Sequence, residues 1–401
     1  MNFPFYIAKR YLISKKSHNV INIISWISVT GIAVGTMALI IVLSAFNGLE
    51  TLVEDLYASF DPDLKITLVE GKTFDSKKFP KAKILALDGV DFYNAALEEV
   101  ALIKYNDKQT VATIKGVEES FYQISGIDSS MIEGSINYNP ENKNNVILGA
   151  GIAYQLALYI SDYSFPISII ASKKGTKKGF SPGSEFSKKT ANATGVFSVN
   201  PDFDTKYVVG NLEFAQKLLQ QKNRLTSVEL GLKENANWNT VKEQVQKIVG
   251  NNYKVQTRYE LNELVFKTNK TEKWITFLIL SFILIIASFN IIGSLTMLII
   301  DKQKDVWILK TMGANNSVIR KIFFAEGMLI NLLGAISGMT IGAFICWLQI
   351  NFGLLKLNGG VVEFYPIELN ILDFVNVSII VIIIGLIASW YPVQVLTKKY
   401  L

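Results

Sequence analysis

The sequence predicts a membrane protein, with four transmembrane α-helices and a large α+β periplasmic domain between the first and the second. Three observations carry that expectation. Half of the 401 residues are hydrophobic and only 18% are charged, whereas a soluble domain carries about 25% charged residues. The shortfall is concentrated in four runs without Asp, Glu, Lys or Arg, at 21–48, 274–300, 327–355 and 374–396. Each exceeds the roughly 20 apolar residues that cross a bilayer. Finally, the long segment 49–272 returns to ordinary globular composition, enough for one or two compact domains.

The elements follow in order. Residues 1–20 are expected to form a cytoplasmic interfacial helix, because Phe3, Phe5, Tyr6, Ile7, Tyr11 and Leu12 alternate with basic residues. Transmembrane helix 1 is expected at 21–48. Its apolar run is too long for a signal-peptide core of about 7–15 residues, so it reads as an uncleaved span. In the periplasmic domain, 49–272, β-branched stretches predict strands at 64–69, 110–117, 145–148, 165–171, 193–199, 206–209 and 227–232. Helices are expected at 151–158, 213–220 and 240–249. The last shows Val241, Val245, Ile248 and Val249 on one face, a capping box from Thr240 and Glu243, and Gly250 as its stop. Residues 140–145 read as a surface turn. The acidic pair Glu98-Glu99 reads as solvated surface. Residues 273–300 are transmembrane helix 2, 301–321 a cytoplasmic helix and loop, and 322–355 transmembrane helix 3. A periplasmic loop at 356–373, transmembrane helix 4 at 374–396 and a cytoplasmic tail at 397–401 complete the chain.

Charge placement orients it. The net charge is +6, from 40 basic and 34 acidic residues. Lys9, Arg10, Lys15 and Lys16 precede the first run; Lys302, Lys304, Lys310, Arg320 and Lys321 lie between the second and third; Lys398 and Lys399 follow the fourth. Basic loops stay cytoplasmic, so both termini and the 301–321 loop are expected there.

Familiar catalytic patterns are missing. There is no phosphate-binding G-x-x-x-x-G-K-[ST], no H-E-x-x-H, no G-x-S-x-G and no CxxC. The one cysteine, Cys346, reads as a small packing residue, and the one histidine, His18, as an interfacial polar group. The expectation is a non-catalytic chain that binds no cofactor itself; if it moves something, the energy comes from another subunit. Glu326 is expected near the cytoplasmic interface, with no charge deep in any span.

Small residues mark packing faces. Gly31 and Gly35 in the first span, and Gly334, Gly338 and Gly342 in the third, recur every four residues, a spacing that lets helix backbones approach closely. In the 301–321 insert, residues 305–312 predict two helical turns. Val306, Ile308, Leu309 and Met312 are apolar, and Lys304, Asp305 and Lys310 polar. Gly313 ends the helix, and Asn315 or Ser317 caps the next. Residues alone leave two readings of it, a helix lying on lipid or a lever docked on a cytoplasmic partner. The basic loop 173–189 likewise reads as a flexible connection or, through Phe180, Pro182 and Phe186, as a partner-binding loop.

Four stretches carry a family resemblance. KRYLISKKSHNVINIISWISVTGIAVGTMALIIVLSAFNGLE (9–50) resembles the start of lipoprotein-releasing ABC transporter permeases of the LolC/LolE type, including Ser-Trp-Ile-Ser at 25–28 and Asn-Gly-Leu-Glu at 47–50. DKQKDVWILKTMGANNSVIRKIFFAEG (301–327) resembles that family's cytoplasmic loop, and NNVILGAGIAYQLAL (144–158) and ATGVFSV (193–199) its periplasmic core. The wider superfamily includes macrolide-efflux and cell-division permeases, so a mechanotransmission permease for efflux or for control of a periplasmic hydrolase is the alternative. The macrolide type usually carries its ATPase fused to the N-terminus, which this sequence does not show.

The resemblance implies an assembly of two permease chains, identical or paralogous, with a cytoplasmic ABC ATPase. An acylated lipoprotein would be the substrate and a periplasmic lipoprotein carrier the recipient. It implies ATPase coupling through Lys304, Asp305, Val306, Trp307, Ile308, Leu309, Lys310, Met312 and Gly313. It implies lipoprotein access at Val42, Phe46, Trp274 and Phe277, and a carrier-binding loop at Phe180, Ser181, Pro182 and Gly183.

Overall fold

The structure is a computed structural model that describes residues 3–13, 19–136, 144–160, 165–173, 185–357 and 362–400. In chain order the first helices are α1 (Phe3–Ile13), α2 (Asn19–Ala58), α3 (Lys81–Leu85), α4 (Phe121–Ile124), α5 (Ala150–Leu156) and α6 (Pro201–Asp204). There follow α7 (Leu212–Leu219), α8 (Trp238–Val249), α9 (Arg258–Leu261), α10 (Glu263–Asp301), α11 (Gln303–Thr311), α12 (Asn316–Phe352) and α13 (Ile371–Tyr400). The strands are β1 (Leu64–Leu68), β2 (Phe74–Asp75), β3 (Val90–Tyr105), β4 (Lys108–Val117), β5 (Met131–Gly134) and β6 (Asn145–Gly149). The rest are β7 (Phe165–Ser172), β8 (Phe186–Phe197), β9 (Tyr207–Asn211), β10 (Arg224–Leu225), β11 (Ser227–Leu232) and β12 (Tyr253–Thr257). The chain divides into two compact units, one from 1–52 with 265–401 and one from 53–264.

The first unit holds four helices long and apolar enough to cross a membrane, with candidate spans Ile23–Ala58, Glu263–Asp301, Asn316–Phe352 and Ile371–Thr397. One cluster of their buried residues joins all four helices. Ile32, Leu39 and Ile40 of α2 meet Leu284 and Ile291 of α10, Ile330 of α12, and Val377 and Val381 of α13. In lipid the hydrophobic effect does not hold helices together, so close packing and polar bonds must do it. Ser28 Oγ lies 2.7 Å from Ser294 Oγ, and Asn331 Nδ2 donates to the carbonyl of Val381 at 2.9 Å. Cys346 is buried and free. α1 leaves Phe5 and Tyr6 exposed and buries Ala8. His18 lies outside the described residues.

The second unit is built on one twisted sheet in the order β12-β1-β11-β3-β4-β9-β6-β8-β5, with β7 pairing both β3 and β8. Most pairs are antiparallel; β4 with β9 and β6 with β8 are parallel. β3 is its spine. Residues 90–96 pair β11, and 97–105 pair β4. Val90, Tyr93 and Ala95 thus enter a core with Leu64, Val245 and Val255, while Leu97, Ala101 and Ile103 enter another with Ile114, Leu148 and Phe214. A small sheet pairs β2 with β10.

Several expectations need correction. α2 extends to Ala58, ten residues past the expected limit at 48, because Glu50, Glu54 and Asp55 sit on helix already outside the apolar run. α8 begins at Trp238 rather than Thr240. Asn237 caps it, accepting from the amides of Asn239 and Thr240, so the Thr240–Glu243 capping box does not form. A capping box is present instead at Thr257 and Glu260 of α9. Glu98 and Glu99 are not solvated: both side chains are largely covered and ion-paired. β3 and β12 were not expected as strands. Glu326 is wholly buried, and its carboxylate oxygens have no hydrogen-bond partner among the described residues. Burial of this carboxylate among packed helices adds to the expectation for Glu326 and leaves its expected depth untouched.

Candidate functional site

The 301–321 insert folds into α11, which starts at Gln303, two residues before the expected Asp305. Its stop is a Schellman motif: the Ala314 amide donates to the Leu309 carbonyl and the Gly313 amide to the Lys310 carbonyl, both at 2.9 Å. That turn requires a left-handed residue, and Gly313 has φ +95° with open space where a Cβ would stand. Asn315 then caps α12, its Oδ1 accepting from the Val318 amide at 2.9 Å.

The helix is anchored on one side only. Val306 is buried in a cluster with Leu298, Ile299, Ile319, Phe323 and Val393. Lys302 lies 3.8 Å from Asp305 and 5.6 Å from the Tyr11 ring. Burial and the adjacent Asp305 carboxylate push the Tyr11 hydroxyl up to about 12, so it remains a protonated donor. The opposite side is bare. Trp307 is 68% exposed, Ile308 51% and Met312 78%. Lys304 is exposed, and Asp305, Leu309 and Lys310 are half-buried. A helix lying on lipid keeps its basic residues on a separate polar face; on α11 the exposed Lys304 stands among the exposed Trp307, Ile308 and Met312.

The glycines divide between two faces of α2. A Cβ at Gly334 would stand 2.7 Å from Ile32 Cβ, at Gly338 2.8 Å from Thr36 Cβ, and at Gly342 3.2 Å from Ile40 Cβ. α12 therefore lies against α2 with nothing between the backbones. Gly31 and Gly35 instead face Asn290 and Leu284 of α10. The two glycine sets do not meet.

Of the proposed access residues, two come together. The rings of Trp274 and Phe277 stand edge to face at 5.8 Å and line a cavity of about 440 Å³ shared by α2, α10 and α13. Leu43 represents α2 there; Val42 and Phe46 are half-buried elsewhere on the helix. Phe180, Ser181, Pro182 and Gly183 lie outside the described residues, while Phe186, at the start of β8, is exposed.

Sequence reasoning missed one node. Lys115 Nζ lies 2.9 Å from Glu229 Oε1, and Lys65 Nζ 3.0 Å from Glu98 Oε1. These four residues come from the neighbouring strands β4, β11, β1 and β3, and Asn94 adds a bond to Glu229 at 2.8 Å. The Lys115 ammonium also sits 4.7 Å and 4.6 Å from the rings of Phe60 and Phe121. Burial opposes a charged Glu98, but Lys65 and Lys115 outweigh it and hold the carboxyl down at about 2. Phe60 follows α2 directly and stacks on Phe203 at 4.5 Å. Nearby, Arg258 pairs with Asp63 at 2.7 Å, and Asn262 donates to Asp61 at 2.7 Å. The end of α2 is thus keyed into the sheet next to the point where α10 begins. A lysine flanked by alternating Thr113, Ile114 and Val117 offered no local hint of burial.

Two family models match. The MacB-like periplasmic core domain covers residues 25–248, and the FtsX-like permease C-terminal region covers 277–401. The lipoprotein-releasing system transmembrane protein LolE of Haemophilus influenzae is 26% identical over 412 residues, covering 98% of this chain and 96% of that protein. LolC of Buchnera aphidicola subsp. Schizaphis graminum is also 26% identical, over 397 residues, with the same coverage. Among solved structures, the periplasmic region of MacB from Actinobacillus actinomycetemcomitans aligns at TM-score 0.37 and 9% identity over 54% of this chain and 97% of that one. The extracellular domain of the transporter YknZ from Gram-positive bacteria aligns at TM-score 0.37 and 11% identity, over 48% and 99%.

Proposed function

The chain belongs to the permease family defined by the MacB-like periplasmic core domain, and from that premise we propose that it is the membrane subunit of an ABC transporter that extracts lipoproteins from the inner membrane. The observation that carries the reading is α11: one buried anchor, Val306, and an exposed Trp307, Ile308 and Met312. Exposed aromatic and aliphatic anchors on a rigid element are what a protein partner buries. The partner is a cytoplasmic ABC ATPase, which holds ATP and Mg; this chain holds neither and catalyses nothing itself. The basic loops support a topology with both termini and α11 in the cytoplasm and residues 53–264 in the periplasm.

In this mechanism ATP binding moves α11, and α2 and α10 carry the motion outward. Both helices are long: α2 runs unbroken to Ala58, where Phe60 and the Asp61–Asn262 and Asp63–Arg258 bonds take over. The acyl chains of a lipoprotein enter beside Trp274 and Phe277, and the periplasmic domain passes it to a carrier, with the 180–183 loop as the carrier contact. A second permease chain completes the channel.

Purification with endogenous partners tests this reading. Acylated proteins and an ATPase are expected in the complex. Recovery of a periplasmic hydrolase or an outer-membrane channel in their place would assign the chain another cargo.

A further inference from the structure

We propose that the cavity between α2, α10 and α13 is a binding site for the headgroup of a zwitterionic phospholipid bearing a primary amine, of the phosphatidylethanolamine type. Polar and apolar walls are stacked along the helices. Lys270 and Lys273 stand just before the apolar run that begins at Trp274, Asp373 just before the run that begins at Phe374, and Glu50 just after the first run. Leu43, Phe277 and Ile380 line the same cavity one to two turns deeper. At 1.5 Å per residue, seven residues separate Glu50 from Leu43, and Asp373 from Ile380, by ~10 Å. A polar rim over an apolar floor at that spacing matches a headgroup above the start of its acyl chains, and Trp274 is the residue type favoured at that level.

Charge selects the headgroup. Lys273 is committed: its ammonium donates to Asn47 Oδ1 at 2.5 Å and lies 3.6 Å from Glu50. Asn47 in turn donates to Asp373 Oδ2 at 2.7 Å. Lys270 is exposed, with no ion pair or hydrogen bond among the described residues. The rim therefore offers one free ammonium for a phosphate, and carboxylates with unused lone pairs for a cation. A purely anionic headgroup would face two carboxylates, Asp373 with no cation beside it among the described residues and Glu50 with only the shared Lys273. A primary ammonium beside them and a phosphate beside Lys270 satisfies both signs, and unlike choline it donates hydrogen bonds to the carboxylates. Asn370 and Asn376 add neutral donors at the same rim. The site does not rest on the lipoprotein reading, because the lipid would bind this chain whatever the complex carries. A resident lipid would, however, share Trp274 and Phe277 with the proposed access face, so lipid and cargo would exclude one another.

The test uses the full chain in detergent, loaded separately with dioleoylphosphatidylethanolamine, dioleoylphosphatidylcholine, dioleoylphosphatidylglycerol or dioleoylglycerol, with retained lipid read by native mass spectrometry. The ethanolamine lipid should be retained about fivefold over each of the others. Lys270→Gln should remove its advantage over dioleoylglycerol, and Asp373→Asn its advantage over the glycerol and choline headgroups. Lys270 is exposed, so that variant keeps the test valid even if Asp373→Asn unfolds. Equal retention of all four lipids, preference for dioleoylglycerol, or unchanged retention by Lys270→Gln would each overturn the assignment.

Discussion

Two regions depart from the rule of apolar inside and charged outside, in opposite directions. In the extramembrane sheet, Lys115 is 1% exposed and lies among Glu229, Glu98 and two aromatic rings. On α11, Trp307 and Met312 lie open to solvent. The first anomaly is completed inside the chain, since every buried charge has a partner from a neighbouring strand. The second has no completion among the described residues. A buried polar group with partners is therefore read as architecture, whereas an exposed apolar group on a rigid, capped helix is read as half of an interface.

The contrast can be broken from either side. The largest effect is expected from Lys115→Ala, which leaves the buried Glu229 with only the more distant Lys65, 3.7 Å away, as its cation and should destabilise the sheet domain by about 3 kcal/mol. Urea unfolding followed by hydrogen exchange of β4 and β11 reads it, and a loss under 1 kcal/mol would mean that water replaces the lysine. Gly338→Leu comes next. Its side chain must displace Thr36 and the Ala33 backbone, at a cost of about 1–3 kcal/mol. A cysteine pair across α2 and α12 should then crosslink more slowly; an unchanged rate would place the close approach elsewhere.

Trp307→Ala should do the reverse. Chain stability should move by no more than about 0.5 kcal/mol, while affinity for the ATPase falls by about 2 kcal/mol, near thirtyfold. Co-purification titrated against purified ATPase measures it. Loss of fold stability without loss of binding would move Trp307 into the architectural class.

The smallest effect is the acid response of the ion cluster. Glu98 titrates ordinarily at 4.5 and is held at about 2 in the fold. A depressed carboxyl stabilises fully above its unfolded value, and that contribution is lost as pH falls from 4.5 toward 2. Glu98→Gln should flatten stability across that window. An identical acid profile for both proteins would show that other carboxylates control it.

Much of the candidate coupling site was legible because its signals are local. Val306, Met312, Gly313 and Asn315 act within a few residues of themselves, through helix periodicity, a left-handed turn and a cap. The extramembrane sheet was less legible where strands depend on distant partners. NAALEEVALIK, at 94–104, has the composition of a helix and lies in the middle of β3, because β11 on one edge and β4 on the other satisfy its backbone. The cap of α8 was misplaced by three residues, since Asn237 and Thr240 offer similar local chemistry and only the backbone angle at Asn237 decides between them.

By itself the sequence determined the four apolar helices, the short capped helix between the second and third, and the family resemblance. These follow from chain composition against the dielectric of a membrane, or from residues close along the chain. Only the tertiary structure decided that β3 is the spine of the sheet, that Lys115 is buried, that α12's glycines meet α2 rather than Gly31 and Gly35, and that Lys270 and Asp373 share one cavity. Each of these joins residues far apart in sequence, and such pairings are selected by the free energy of the whole packed chain rather than by any local preference.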